Sequence, residues 1–475
     1  MARRWLIATG IAGVLLFSPA AQASPRPSIA VTPDTAAPTA PISVDGSGLR
    51  RGERLTIRFA GVRLGRVTAR RGSFHATFRV PASATPGTHW LVADRQGRPD
   101  LRAQVRVQTD WLAYQFDAAG TGWNPLENVL GTGNVAQLDE QWTTHLGSSI
   151  EAPVAEADGV IYVHVNLPNR LRAVSASTGA VLWSTAVPGL PWGQPPVVYE
   201  HAVYLASDPS PLARVFAFDA ADGHMRWAHT VGNPDGDEVF TAPVFHRGTL
   251  YVQTGQGVVD ALDPETGQEI WQTPVAGFNQ ASSIAGVSAG GNTIFVPVER
   301  TLYALDATTG AITWQSPAAP AGPFENAPSI MDHTAYLVSQ AGRLYAVNTG
   351  NGAVRWSRLT SAGQATAGTT RTTFFAGSAN GGCAAIAVDP TGGRRWSTPL
   401  PCAVLGTPHR PVIANGVVYL TSDDGHLYAL SAQTGALRAD VAVAPDGTRL
   451  TDPIVVNGKV VLADADGELH ALHVG

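Results

Sequence analysis

The polar residues best placed for chemistry stand in front of a short phrase that recurs along the chain. The phrase reads Ala-Pro-Val in its clearest copies, at residues 152–154 and 242–244. The residues that precede the copies are Glu151, Gln194, Thr241, Ile284, Asn326, His409 and Thr451. Carboxylate, amide and imidazole groups can bind a ligand or an ion once a fold brings them together. Glu151, Asn326 and His409 are therefore candidate contacts, and a solvated lining is the alternative interpretation.

An acidic loop at residues 235–238 is a second candidate, because its carboxylates could bind calcium. It lacks the twelve-residue ligand pattern of an EF-hand, so we favour a solvated turn. The sequence contains no zinc-ligand spacing, phosphate-binding loop or nucleophile elbow. We therefore expect neither a catalytic residue nor a metal site.

The chain has two cysteines, Cys383 and Cys402, which are neither adjacent nor part of a haem-attachment motif. Two cysteines in an exported protein most often pair, so we expect a disulfide in preference to two free thiols. If Cys383 opens a strand and the turn follows near residues 390–393, its cross-strand partner falls close to Leu400. Cys402 lies two residues beyond that point.

The candidate contacts lie within a longer repeat, which is marked by a tryptophan that recurs at intervals of 40–44 residues. Six copies have glycine four residues earlier, and most have alanine ahead of that, which gives the pattern A-x5-G-x3-W. The tryptophans are Trp183, Trp227, Trp271, Trp314, Trp356 and Trp396. A seventh copy has Ala439 in place of tryptophan, and Trp142 lies in phase 41 residues before Trp183.

Each repeat predicts four short strands, because apolar and polar residues alternate between turns such as Asn415-Gly416 and Asp466-Gly467. A repeat of 40–45 residues with four strands is typical of a propeller blade. Seven units end near Ala439, and an eighth supplies three strands before Gly475. The strand around Trp142 can complete that unit and close the ring, which removes an exposed edge. The expected fold is all-β, with an eight-bladed propeller over residues 109–475.

The A-x5-G-x3-W motif resembles the tryptophan-docking motif of quinoprotein-like propellers, which include pyrroloquinoline-quinone dehydrogenases and outer-membrane assembly propellers. Residues 117–125 and 134–142 also resemble the segment that leads into such propellers. The resemblance implies a structural docking role for Trp142 and the six repeat tryptophans. It also implies that the residues before the recurring phrase ring the central channel.

The same resemblance leaves two functions open. The family's quinone-dependent enzymes use an adjacent cysteine pair, metal ligands and a catalytic aspartate, and the cysteine pair is absent here. We favour a non-catalytic platform that binds a protein or an envelope polymer and needs no cofactor. The alternative is a small oxidoreductase that uses pyrroloquinoline quinone and calcium.

Residues 42–108 show alternation and turns without the docking motif, and we expect a small immunoglobulin-like β-sandwich. Their opening resembles that of bacterial immunoglobulin-like domains, and residues 24–41 form a Pro/Ala-rich tether or an edge strand. Residues 28–108 hold 13 arginines against 5 acidic residues, whereas residues 109–475 hold 16 basic and 32 acidic residues. A basic module suits an anionic envelope polymer as partner, with codon bias as the other explanation.

Residues 1–23 have the basic, apolar and small-residue regions of a signal peptide, with cleavage expected before Ser24. The arginine pair Arg3-Arg4 leaves ordinary secretion and the twin-arginine route both open. We expect a secreted or extracytoplasmic monomer with no lipid anchor, no transmembrane segment and no nucleic-acid partner.

Overall fold

The computed structural model describes residues 26–475 apart from short internal stretches. The stretches outside the description are 190–193, 208–211, 234–236, 240, 276–284, 318, 320–321, 325, 360–362, 370–371, 380–381 and 402–408. Among the described residues, no helix has the length and apolar character needed to cross a membrane. The chain divides into two compact units, the first built from residues up to 34, 41–80 and 88–105 and the second from 35–40, 81–87 and 106–475.

The first unit is built from antiparallel strands whose buried and exposed residues alternate. Its strands are β1 (Ser28–Thr32), β3 (Pro41–Ser47), β4 (Arg54–Phe59), β5 (Val62–Thr68), β6 (Phe74–Arg79), β7 (Gly87–Arg95) and β8 (Leu101–Val107). Strands β1, β3 and β6 form one sheet with β1 at its edge, and β8, β7, β4 and β5 are neighbours in another. The short strand β2 (Thr35–Ala36) pairs with the end of β8. Alternation lets one face of each sheet pack away from water, with Val44 buried in the first sheet and Ile57 and Leu91 in the second.

The described part of the second unit contains eight sheets of four or five strands, and six of them are simple consecutive meanders. The six meanders are β11 (Ala155–Ala157), β12 (Val160–Val165), β13 (Arg170–Ser175) and β14 (Val181–Ala186); β15 (Val197–Tyr199), β16 (Ala202–Ser207), β17 (Arg214–Asp219) and β18 (Met225–Thr230); β19 (Val244–His246), β20 (Thr249–Gln253), β21 (Val258–Leu262) and β22 (Glu269–Pro274); β23 (Ser288–Gly290), β24 (Thr293–Val298), β25 (Thr301–Asp306) and β26 (Ile312–Gln315); β27 (Ser329–Met331), β28 (Thr334–Val338), β29 (Arg343–Asn348) and β30 (Val354–Leu359); β31 (Gly363–Thr369), β32 (Thr372–Ala379), β33 (Gly382–Val388) and β34 (Arg394–Leu400).

The last two sheets recruit strands from far earlier in the chain. The seventh contains β35 (Val412–Ala414), β36 (Val417–Thr421), β37 (His426–Ser431) and β38 (Leu437–Ala442), and β9 (Trp123–Asn124) adds to it in parallel with β35. The eighth contains β39 (Ile454–Val456), β40 (Lys459–Ala463) and β41 (Glu468–Val474), followed by β10 (Leu138–His145). Strand β10 is antiparallel to β41, and Trp142 lies opposite Ala471. A 3-10 turn at Val135–Gln137, called η1 below, leads into β10.

Local geometry explains the repeat pattern. The alanine of each copy lies directly opposite the tryptophan, as Ala261 does to Trp271, and a bulge follows it in the ladder. A small residue there leaves room for the indole, and the bulge turns the outer strand. Asn415 and Gly416 both have positive φ, 42° and 77°, as a two-residue hairpin turn requires. Apolar clusters lie between neighbouring sheets, so each sheet buries its faces against the next.

Residues 111–124, called the lead-in segment below, run along the first strands of many sheets. The carbonyl of Leu112 accepts the N–H of Val198 in the second sheet at 2.7 Å. The carbonyls of Ala118, Ala119 and Gly122 accept the N–H groups of Ala289, Ile330 and Ile413 in the fourth, fifth and seventh sheets. The segment therefore bonds to strands that are distant from it and from one another in sequence.

Candidate functional site

A cavity of about 170 Å³ lies where the first strands of several sheets begin. Two parts of the chain form it. The lead-in segment contributes Ala113 to Gln115 and Asp117, Ala118 and Gly120, and the residues before the first strands contribute the rest. Among the latter are Glu151, Gln194, Thr241, Ser288, Asn326 and Arg410. The cavity is thus the place where the channel-facing residues of separate repeats meet.

Four of the six polar residues that precede the recurring phrase line this cavity: Glu151, Gln194, Thr241 and Asn326. Glu151 is exposed, whereas Gln194 and Thr241 are buried. The Gln194 backbone N–H donates to His164 Nδ1 at 3.1 Å, and burial lowers the pKa of that imidazole. Glu151 is therefore the one predicted residue of the four that presents a charge there.

The other two predicted residues, His409 and Thr451, are not among the described residues that line the cavity. His409 Nε2 lies 2.8 Å from Asp423 Oδ1. The hydroxyl of Thr451 accepts the N–H of Ala463 at 3.0 Å. Both side chains are used in contacts with neighbouring strands and loops, and Ile284 lies outside the described residues.

Arg410, which sequence reasoning missed, lines the cavity in place of His409 and is 3% exposed. Its backbone N–H donates to Asp452 Oδ1 at 3.0 Å, and its Nη2 donates to the carbonyl of Ala327 at 3.2 Å. A signal for it exists in the recurring phrase. The first position of the phrase is a small residue in most copies, such as Ala152 and Ala242, but it is Arg410 before the seventh sheet and Asp452 before the eighth.

Two lead-in residues hold Asp452 from the other side. Tyr114 Oη donates to Asp452 Oδ2 at 3.1 Å, and Gln115 Nε2 lies 3.4 Å from the same oxygen. Burial raises the pKa of the Tyr114 phenol, so it stays a neutral donor. The Arg410 guanidinium lies over the Tyr114 ring, 5.2 Å from its centre. Tyr114 and Asp452 thereby fix the position of Arg410 at the cavity wall.

The predicted docking tryptophans all lie on the last strand of a sheet and reach the next sheet. Each indole Nε1 donates to a backbone carbonyl there, at distances of 2.8–3.4 Å. The pairs are Trp142 with Ala176, Trp183 with Ala220, Trp227 with Pro264, Trp271 with Ala307, Trp314 with Thr349, Trp356 with Pro390 and Trp396 with Ala432. The glycine of the next sheet's motif lies against the ring, since a Cβ on Gly267 would come 2.6 Å from Trp227.

Of the two cysteines expected to form a disulfide, only Cys383 lies within the described residues. Cys383 lies opposite Leu400 in the β33–β34 ladder, where the sequence places its cross-strand neighbour. Cys402 lies outside the described residues, and the disulfide between them stays a prediction.

The acidic loop is only partly described, because residues 234–236 lie outside the described ranges. Its Asp237 is buried, which differs from the expected solvated turn. Thr254 Oγ1 donates to Asp237 Oδ2 at 2.6 Å, and the N–H of Gln256 donates to Oδ1 at 3.1 Å. The carboxylate therefore closes its own loop with hydrogen bonds.

Comparison with known proteins identifies the architecture. Residues 131–289, 280–386 and 384–474 match the family described as outer membrane protein assembly factor BamB. The chain belongs to this family. The BamB match spans more than half of the chain and confirms the resemblance to quinoprotein-like and assembly propellers, as well as the all-β propeller class.

Individual relatives agree with the family match. The chain is 26% identical to BamB of Yersinia pestis over 235 residues, which are 44% of this chain and 59% of that protein. The matched part thus spans less than two thirds of the curated BamB relative. It is also 26% identical to the dehydrogenase subunit of a quinone alcohol dehydrogenase from Gluconobacter oxydans, over 40% of this chain and 27% of that one. The crystal structure of BamB from Moraxella catarrhalis shares the fold, with a TM-score of 0.57 at 17% identity over 71% of this chain and 97% of that one.

The described lining of the cavity shows few of the ligands that pyrroloquinoline quinone with calcium would need. Its volume of about 170 Å³ is smaller than the ~300–1,000 Å³ of ordinary small-molecule sites. Within the described ranges, no group of three or more His, Cys, Asp or Glu side chains is arranged to hold a metal ion. The lining carboxylate of Asp117 is engaged by Thr121, whose hydroxyl donates to it at 2.8 Å. Among the described residues, this lining therefore holds no preformed group of three such metal ligands.

Proposed function

We propose that this protein is a non-catalytic, extracytoplasmic platform that binds another protein of the envelope. The observation that carries the proposal is the small cavity at the converging strand ends, which leaves little room for a cofactor and its substrate together. The match to a family described as an outer membrane assembly factor supports the same function. A propeller of this kind offers its partner a rigid surface.

The last strands of the sheets support a partner surface on the outside of the propeller. They carry exposed apolar side chains close to the docking tryptophan, including Leu182 at 54% exposure, Ile270 at 51% and Ile312 at 45%. Exposed apolar side chains repeated on neighbouring edge strands are unusual for a monomer that has no partner. Edge strands can also pair with a strand of the partner.

Photocrosslinking tests the platform. A photoreactive amino acid replaces Leu182, Ile270 or Ile312 in turn, and the control carries it at Asp446, whose side chain is 97% exposed. We expect one recurring protein adduct from the apolar positions and none from position 446. Absence of adducts at all four positions would refute a partner surface on these strands.

The alternative function, a small quinone oxidoreductase, draws support from the dehydrogenase relative. It is tested on the same purified protein with pyrroloquinoline quinone and calcium. A bound chromophore in one-to-one ratio with dye-linked oxidation of alcohols would refute the non-catalytic proposal. We expect no stoichiometric chromophore.

We further infer that the eight sheets are eight blades of one closed ring. The pairing of β10 with β41 supports closure, because it joins the start of the propeller to its end. We infer an immunoglobulin-like sandwich for the first unit, which its two antiparallel sheets support.

The basic residues of the first unit lead us to propose an anionic envelope polymer as its ligand. Substitution of Arg63 and Arg66 on β5 with glutamate is expected to weaken binding of the whole chain to a polyanion such as teichoic acid. Matched substitution of Arg343 and Arg355 in the propeller is the control. Binding that resists high salt and ignores the β5 substitutions would contradict the proposal.

A further inference from the structure

The guanidinium of Arg410 is a buried charge with unused donors. Its Nε and Nη1, which carry three of the five guanidinium hydrogens, have no hydrogen-bond partner among the described residues. The residue is 3% exposed and forms part of the cavity wall. Burial of a charge without compensating bonds is unfavourable, so such a group is ordinarily satisfied by something that the cavity admits.

The acidic neighbour closest to Arg410 does not satisfy it. Asp452 Oδ1 accepts the backbone N–H of Arg410, and Oδ2 accepts from Tyr114 and Gln115. Among the described residues, no carboxylate forms an ion pair with the guanidinium. The Tyr114 ring covers one face of the guanidinium and leaves its edge for bonding. Because Arg410 lines the cavity, a group bound there would lie beside the guanidinium.

We propose that the cavity binds one carboxylate group through Arg410. The guanidinium is always charged and matches the planar geometry of a carboxylate. The volume of about 170 Å³ admits a small organic acid or the last residue of a peptide. Glu151 on the same cavity repels a second negative charge, so a monocarboxylate binds better than phosphate or a dicarboxylate. This site goes beyond the platform function and does not depend on it.

Calorimetric titration of the full chain with sodium benzoate at constant ionic strength tests the site. We expect saturable one-to-one binding to the wild-type protein, no binding of the neutral analogue benzamide, and weaker binding of inorganic phosphate. Equal affinity for benzoate and benzamide, or no saturable binding of any probe, would overturn the proposal. N-acetylated trialanine distinguishes a peptide end from a small organic acid as the natural ligand. Tighter binding of its free acid than of benzoate, with no binding of its amide, indicates a peptide carboxyl terminus.

Two variants locate the binding in this cavity. Arg410→Met keeps an unbranched apolar stem but removes the guanidinium and its charge, and it should weaken benzoate binding by roughly tenfold or more. Glu151→Gln, at an exposed position that does not endanger folding, should strengthen benzoate binding roughly threefold. If Glu151→Gln leaves the affinity unchanged, or folded Arg410→Met binds like wild type, the site is elsewhere and the proposal fails.

Discussion

At the scale of single residues, the contact between a tryptophan and the glycine of the next sheet recurs around the propeller. Gly267 has a φ of +69° and lies against the Trp227 ring, so it is constrained in conformation and in space. Ala439 is the exception. The fourth strand of the next sheet, the eighth, is β10, so no turn with a motif glycine joins it to β41. The turn η1 packs beside β38 at this place. The missing tryptophan thus follows from the pairing of β10 with β41 in the eighth sheet.

Gly267→Ala should destabilise the protein because its Cβ overlaps the indole and its φ is positive. We expect a loss of about 2–4 kcal/mol in the free energy of unfolding, measured by denaturant titration. Gly248→Ala is the matched control, since Gly248 has a φ of +86° with nothing near its Cβ. It should lose only about 1–2 kcal/mol. Equal losses would show that the tryptophan contact contributes nothing.

Glu156 is one of the residues that make stability depend on pH. Burial raises its pKa to about 7, although Asn457 Nδ2 donates to Oε1 at 3.0 Å and Lys459 lies nearby. The unfolded chain has the ordinary pKa of 4.5 at Glu156, so the folded state binds this proton more tightly than the unfolded state does. The contribution of Glu156 to the free energy of unfolding is therefore fully favourable below pH 4.5 and is lost as the pH rises to about 7. The loss reaches at most about 3 kcal/mol.

Glu156→Gln should therefore stabilise the protein at pH 8 and change little at pH 4.5. Denaturant titrations at both pH values measure the effect, and Glu269→Gln on the exposed part of β22 is the control. An equal gain at both pH values would mean that ionisation of Glu156 is not the cause.

At the scale of elements, the joint between β10 and β41 decides whether the propeller closes. Seven residue pairs join the two strands, and His470 of β41 contacts Thr143 of β10 at 3.1 Å. The repeat phase alone predicts this joint, because Trp142 lies in register with the other tryptophans. The strand bounds in the fourth sheet, β24 (Thr293–Val298) and β26 (Ile312–Gln315), likewise follow from alternation and turn residues.

A chain truncated after Asp466 should lose cooperative unfolding and self-associate, because β10 and β40 both lose their neighbour. Size-exclusion chromatography and thermal melting measure this. A synthetic peptide of residues 467–475 should restore the monomer, and a scrambled peptide should not. A truncated protein that stays monomeric with an unchanged melting temperature would contradict the role of the joint.

At the scale of the whole molecule, the lead-in segment bonds to the second, fourth, fifth and seventh sheets, which come from separate stretches of the chain. Asp117 shapes it, because its carboxylate accepts the N–H and the hydroxyl of Thr121 at 3.1 and 2.8 Å. Burial raises the pKa of Asp117, and these bonds oppose the rise. Conformational order in this segment therefore affects several sheets together.

Asp117→Ala should accelerate amide hydrogen exchange at Ala289, Ile330 and Ile413 together, since their N–H groups donate to the lead-in segment. Mass spectrometry of exchanged peptides measures it. Asp389→Ala is the control, because Asp389 makes the same kind of turn with Thr391 within a single hairpin. Its effect should stay in the sixth sheet. If Asp117→Ala also accelerates exchange in only one sheet, the lead-in segment does not connect the sheets.

The limits of sequence reasoning are visible at this scale. Repeats and turns predict sheets, since they depend on neighbours in the chain, and the recurring phrase predicts four cavity residues. The path of residues 111–124 and the placement of Arg410 depend on contacts with residues distant in sequence, from 42 residues for Arg410 with Asp452 to 338 for Tyr114 with Asp452. No local pattern reports such contacts, although the unusual charges at Arg410 and Asp452 mark the place.

The order of synthesis determines when β10 and the lead-in segment can bind their partner strands. A ribosome completes residues 111–145 before any of the sheets that they bind, and the partner strand β41 is the last to be made. At typical elongation rates, roughly 20–60 s separate the two. During that interval the local hairpins can form, while β10 stays without its partner. Nascent chains of this protein should therefore depend on holding chaperones until synthesis ends.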